Sequence, residues 1–99
     1  MILTGGYNVY PAEIERVLAA HPVVALAAVG KLPDPVKGEI AKAYIVLKSD
    51  TSTTEDEIIK FCRKSLAAYK CPRKVQFVRD VPKTSTGKIM RRELYTLDE

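Results

Sequence analysis

Val23-Val24-Ala25-Leu26-Ala27-Ala28-Val29, followed downstream by Ala43-Tyr44-Ile45-Val46-Leu47, is the passage on which the fold turns. Both are short apolar runs, and the second is rich in aromatic and β-branched residues, so they read as strands. Leu32-Pro33-Asp34-Pro35 and Lys37-Gly38 supply turn signals between them, which lets the two strands close as a hairpin. Upstream, Pro11 to Ala20 carries Ile14, Val17 and Leu18 at helical spacing, with Pro11 suited to a first turn and Glu13 and Glu15 near its favourable end. Downstream, Thr54 followed by Glu57 fits a capping box, and Ile58, Ile59, Cys62, Leu66 and Tyr69 keep a helical stripe until Pro72 forbids continuation. Val75 to Arg79 is a third strand, reached by a crossover, and Ile89 to Tyr95 a short basic helix. The expected fold class is α+β: a small sandwich with a mainly three-stranded sheet flanked by helices.

Ninety-nine residues with 46% hydrophobic content suit one domain, 1–99, with no linker-like or repeated stretch to divide it. The longest apolar run, Val23 to Val29, is far below the ~20 residues of a membrane helix, and the Met1-Ile2-Leu3 start lacks the pattern of a signal peptide. The expected compartment is therefore the cytoplasm. Cys62 and Cys71 have neither CxxC spacing nor histidine partners, so reduced thiols are expected and no metal site. Cys62 falls within a helical apolar pattern and reads as a core residue. His21 precedes Pro22 at a helix end, where stopping the chain is its expected role.

Chemistry concentrates in Pro82-Lys83-Thr84-Ser85-Thr86-Gly87-Lys88-Ile89. A small-residue loop ending in Gly87-Lys88 can bring an ammonium group to a polyanion, which makes Lys88 the first candidate. No base, metal cluster or second catalytic group accompanies it. A phosphate-binding P-loop would need a glycine at position 82 and Ser or Thr at position 89, where Pro82 and Ile89 stand, so that reading fails. From the loop alone, a solvated basic turn without a role remains an open alternative.

The ordered set Gly5-Gly6-Tyr7-Asn8-Val9-Tyr10-Pro11-Ala12-Glu13-Ile14-Glu15, then His21-Pro22, Tyr69-Lys70 with Pro72, and Pro82-Lys83-Thr84 to Gly87-Lys88 with Arg91 and Arg92, resembles one family along nearly the whole chain. It is similar to the C-terminal domain of the adenylate-forming (ANL) enzymes, and within them most like fatty-acyl-CoA synthetases. The resemblance implies a two-step ligase whose larger N-terminal domain binds ATP, Mg²⁺ and the carboxylate, while this domain alone binds no cofactor. In the first step the lysine matching Lys88, on a loop with Thr84 and Gly87, contacts the carboxylate and α-phosphate oxygens, offsetting the repulsion between two anions. In the second step the small domain rotates, and the loop matching Gly5, Gly6, Tyr7 and Asn8 lines the passage for the pantetheine arm of CoA.

Paired glycines suit a thin arm passing close to the backbone, and they equally suit a plain turn. Tyr69, Lys70, Arg73, Arg91 and Arg92 are implied contacts for the CoA phosphates, against the ordinary alternative of solvated surface charge. Glu15 is expected simply to stabilise its helix, and Glu13 is open between that and a family role. The loop also resembles the site modified by lysine acetyltransferases, which would remove the Lys88 charge. The family's hinge would lie just upstream of Met1-Ile2-Leu3-Thr4, so an isolated mobile domain, inactive alone and partnered by an N-terminal adenylate-forming domain, is expected. A net charge of +4 and a pI near 9.1 leave a small nucleic-acid-binding module as an alternative. Aromatic residues do not interleave with the basic ones as that would require. A free-standing partner of a separate adenylation subunit is the other alternative.

Overall fold

The two apolar runs form an antiparallel hairpin longer than its apolar centre. In the computed structural model, which describes residues 1–98, β3 (Val24–Asp34) pairs with β4 (Gly38–Leu47), from Val24 opposite Leu47 to Asp34 opposite Gly38. (Two short upstream strands take the first numbers.) The turn signals collapse into the tip, where the Asp34 carboxylate accepts from the backbone N–H of Val36 at 3.1 Å and of Lys37 at 2.8 Å. Pro33 is tolerated inside β3 because that strand lies at the edge of the sheet. Neither run alternates with polar residues because both faces of the sheet are covered.

One face packs against the helices: Val29, Ala43 and Ile45 meet Ile14 and Leu18 of α1 (Pro11–Ala19) and Ile58 and Cys62 of α2 (Glu55–Arg63). The other face carries Ala28 and Tyr44, and receives Val81 and Leu94 from the C-terminal stretch. Between them, Gly30 permits close approach: a Cβ there would lie 3.2 Å from Leu94 Cδ1 and 3.4 Å from Tyr44 Cε1.

β5 (Lys74–Phe77) runs parallel to β4, as the crossover through α2 requires. The α+β class is as expected, but the sheet has five strands rather than mainly three. The additional pair is β1 (Ile2–Thr4) and β2 (Tyr7–Val9), antiparallel, with Thr4 opposite Gly38 of β4. Three-residue strands are too brief for a period of two to register, so their signal is carried by the Gly5-Gly6 turn alone.

The second helix also departs from its stripe. Thr54 caps it by accepting from Glu57 N–H at 3.2 Å, but Glu57 is engaged by the Thr53 hydroxyl at 2.7 Å instead of returning to the cap backbone. The helix ends at Arg63, and the chain reaches Pro72 through a 3₁₀ turn at Ala68–Lys70, while Leu66 still packs on the core. The short basic helix expected over Ile89 to Tyr95 is instead a 3₁₀ helix over Arg91–Leu97, with only Leu94 buried. α1 ends at Ala19, two residues before His21, whose Nδ1 accepts from Val23 N–H at 3.2 Å and whose ring meets Phe61 edge-on.

Candidate functional site

Lys88 stands at the head of a small closed loop. Lys83 and Ile89 form an isolated antiparallel bridge, Met90 N–H donates to Pro82 C=O at 2.9 Å, and Thr84 N–H donates to Lys88 C=O at 2.8 Å. Inside it, Gly87 N–H reaches Thr84 C=O at 2.9 Å, and the Thr84 hydroxyl accepts from Lys88 N–H at 3.1 Å. Gly87 has φ +86°, a conformation that other residues rarely adopt. The threonine and the glycine thus shape the loop, and the Lys88 side chain is exposed with no ion pair among the described residues. Lys83 differs: Asp80 holds it, and the Lys83 hydrogen bond, helped by Val81 N–H, keeps the Asp80 carboxyl below its usual range. Of the two lysines in the loop, only Lys88 is left to meet an incoming anion.

The second candidate group assembles elsewhere. Gly5 (φ +56°) and Gly6 (φ +85°) form the two-residue turn between β1 and β2, the dihedral signs that type I′ demands. No atom within the domain crowds Gly6, so backbone conformation rather than close approach accounts for the pair here. Tyr7, just after the turn, stacks on Tyr69 with centroids 4.3 Å apart. Lys70 pairs with Glu13 at 2.9 Å, which raises its pKa chiefly through that hydrogen bond and places Glu13 in an ion pair across to the 3₁₀ turn. Gly5 N–H donates to Lys37 C=O at 2.9 Å, and Lys37, Arg73 and Lys74 line a groove of about 460 Å³ with Asp34. Gly5, Gly6, Tyr7, Tyr69, Lys70 and Arg73 therefore share one end of the molecule, with exposed Asn8 on the adjoining strand.

Arg91 and Arg92 are not part of that end. Arg91 forks onto Glu15, with Nε at 3.0 Å from Oε2, and Arg92 lines an apolar cleft of about 430 Å³ with Lys31 and Tyr95. Glu15, expected merely to stabilise its helix, instead reaches over the edge of β3, where its carboxylate also accepts from Val29 N–H at 2.9 Å. Its position one helical step from buried Ile14 was the available signal, but its partner lies 76 residues away. The described residues gather no group of three His, Cys, Asp or Glu that could hold a metal ion, and no helix is long and apolar enough to cross a membrane. With Tyr7 and Tyr69 stacked on each other and Lys83 and Arg91 in ion pairs, the nucleic-acid alternative gains no support.

Residues 13–88 match the family model described as the AMP-binding enzyme C-terminal domain. A long-chain-fatty-acid–CoA ligase of Yersinia pestis is 48% identical over 94 residues, covering 95% of this chain and 16% of that protein. A 2-succinylbenzoate–CoA ligase of Bacillus mycoides is 43% identical over 99 residues, covering all of this chain and 20% of that protein. Among solved structures, a Mycobacterium tuberculosis fatty acyl CoA synthetase superposes with a TM-score of 0.91 at 44% identity, covering 99% of this chain and 19% of that one. The chain thus spans a fifth or less of the length of these proteins.

Proposed function

The chain belongs to the AMP-binding enzyme C-terminal domain family, and from that premise we propose that it is the mobile part of an ATP-dependent carboxylate–CoA ligase, with Lys88 acting in adenylation. The observation that carries this reading is the exposed Lys88 ammonium, which has no ion pair among the described residues, on a loop closed by its own backbone hydrogen bonds. A carboxylate attacking an α-phosphate brings two anions together, and a fixed cation between them stabilises the charge that develops as pyrophosphate leaves. The described residues contain no carboxylate cluster suited to Mg²⁺. In this reading the metal, ATP and the acid are bound by an N-terminal adenylate-forming domain, and a fatty acid is the substrate class favoured by the relatives.

Gly5, Gly6, Tyr7 and Asn8 would line the passage for the CoA thiol once the domain has turned, and Tyr69, Lys70 and Arg73 at the same end would meet its phosphates. Separate placement of this end and the Lys88 loop supports the use of two different surfaces for two steps. Lys88 is also accessible to a lysine acetyltransferase, and acetylation should act as removal of the side chain does.

The test is a chimera in which this chain replaces the corresponding segment of a related long-chain ligase. Lys88→Ala, or acetylation at Lys88, should slow ATP–pyrophosphate exchange by roughly 10²–10³, while thioester formation from preformed acyl adenylate persists. Unchanged exchange would overturn the assignment.

A further inference from the structure

We propose that Glu15 and Arg91 are positioning residues for Lys88, an inference that rests on the adenylation reading above. The Glu15 side chain is 13% exposed, although it is a carboxylate. It accepts from three donors on two other parts of the chain: Val29 N–H of β3, and Nε and Nη2 of Arg91. Val29 N–H belongs to a strand at the edge of the sheet, so the carboxylate serves an amide that has no strand on that side. The Arg91 fork is bidentate, which fixes direction as well as distance.

The connection from this fork to Lys88 is short and continuous. Arg91 directly follows Met90, whose N–H is bonded to Pro82 C=O. Next comes the Lys83–Ile89 bridge, then the Thr84–Lys88 bond that closes the loop. Upstream the loop is rooted by buried Val81, and downstream by buried Leu94. Glu15 supplies what these apolar anchors do not, a directional tie between the loop's downstream leg and α1 on the opposite face of the sheet. α1 in turn begins immediately after β2, so the same carboxylate links the Lys88 loop to the element carrying Tyr7 and Asn8. The two proposed working surfaces are thereby held in one orientation.

A lysine side chain is flexible, and its electrostatic effect depends on where its ammonium is held when charge develops; misplacement by about 1 Å can cost on the order of 10²-fold in rate. Releasing the fork should therefore impair the first step through kcat and leave the binding of ATP and acid nearly unchanged.

The experiment uses the full-length chimera with Glu15→Gln, Arg91→Met, Arg91→Lys and the pair Glu15→Gln/Arg91→Met. Gln keeps an oxygen acceptor for Val29 N–H, so the edge of β3 stays served while the ion pair is lost. Expected are a fall of roughly 10- to 10²-fold in kcat for pyrophosphate exchange, KM values within about threefold of wild type, and thioester formation from preformed acyl adenylate within about twofold. The double variant should be no worse than the poorer single, because both remove the same fork. Hydrogen exchange at the Gly87 and Met90 amides should accelerate in parallel. Partial recovery in Arg91→Lys relative to Arg91→Met completes the pattern, and this pair of variants carries the test should Glu15→Gln not fold. Equal losses in both half-reactions would reduce the fork to a structural role and overturn the proposal. Unchanged exchange in these variants, with exchange abolished by Lys88→Ala, would overturn it while leaving the adenylation reading standing. Unchanged exchange in Lys88→Ala would remove that reading first.

Discussion

The Gly5-Gly6 turn and the Lys88 loop use the same local device and are supported in different ways. Each needs glycine at positive φ, +85° at Gly6 and +86° at Gly87, and neither glycine has an atom within 4 Å of where a side chain would begin. The first turn is set in a five-stranded sheet, with three residue pairs between β1 and β2, and is buttressed by Lys37 C=O and the Tyr7–Tyr69 stack. The second has only one bridge pair, and takes its direction from anchors outside itself, Val81, Leu94 and Arg91. A turn inside a sheet gets its position from register, whereas a loop on a thin cover layer gets it from side chains remote in sequence.

The strongest way to break this comparison is at Leu94, which is 1% exposed and fills the space above Gly30. Leu94→Ala should cost about 2–5 kcal/mol of stability in denaturant unfolding. Hydrogen exchange should then show the Lys88 loop opening before the α1 and α2 face; simultaneous opening of both would show that the layers form one cooperative unit.

A smaller effect separates the two glycines. Alanine at either must enter a left-handed conformation at roughly 1–2 kcal/mol. Gly6→Ala should lower the melting temperature because β1 and β2 belong to the sheet. Gly87→Ala should leave it nearly unchanged and instead speed exchange at the loop amides. Equal melting shifts would remove the distinction.

The smallest expected effect concerns Asp98, which ties the end of the cover layer to the sheet. Its Oδ1 accepts from Lys42 Nζ at 2.7 Å and Tyr44 OH at 2.6 Å. Desolvation pushes its carboxyl up, but the Lys42 and Tyr44 hydrogen bonds outweigh it, so the pKa lies below the ordinary 3.8; burial, followed by the same Asp98 contact, raises that of Tyr44. A depressed carboxyl pKa stabilises the fold fully above the unfolded value, and that contribution disappears as pH falls through the folded one. Stability measured from pH 6 down to pH 2 should therefore lose roughly 1 kcal/mol more in wild type than in Asp98→Asn. Identical acid profiles would show that the tie does not hold the layer.

The β3–β4 hairpin, both helices and β5 were legible because each rests on local chemistry: apolar runs, Pro11 and the Thr54 cap. Strand lengths were underestimated because pairing carries β3 through Lys31 to Asp34 and β4 back to Gly38, where Lys31, Asp34, Glu39 and Lys42 interrupt the apolar pattern yet still have partners. α2 was overestimated because Leu66 keeps its apolar contact without remaining helical. At the candidate site, Lys88 and the Gly5-Gly6 turn stood out as motifs. The ties between elements did not, since Glu15 to Arg91, Glu13 to Lys70, Tyr7 to Tyr69 and Lys42 to Asp98 all join residues far apart in sequence. Charge alone makes Arg91 resemble a ligand contact, and only its partner shows it to be engaged within the domain.

The two cysteines have a practical consequence. Burial, with a lesser contribution from Cys71, pushes the Cys62 thiol up to about 12, and burial also raises that of Cys71. Both are thus poor nucleophiles at neutral pH. The molecule offers a nearly silent background for maleimide chemistry, and a dye or spin label placed through Ser85→Cys, on the exposed crown of the loop, would report the excursions of that loop from a single position.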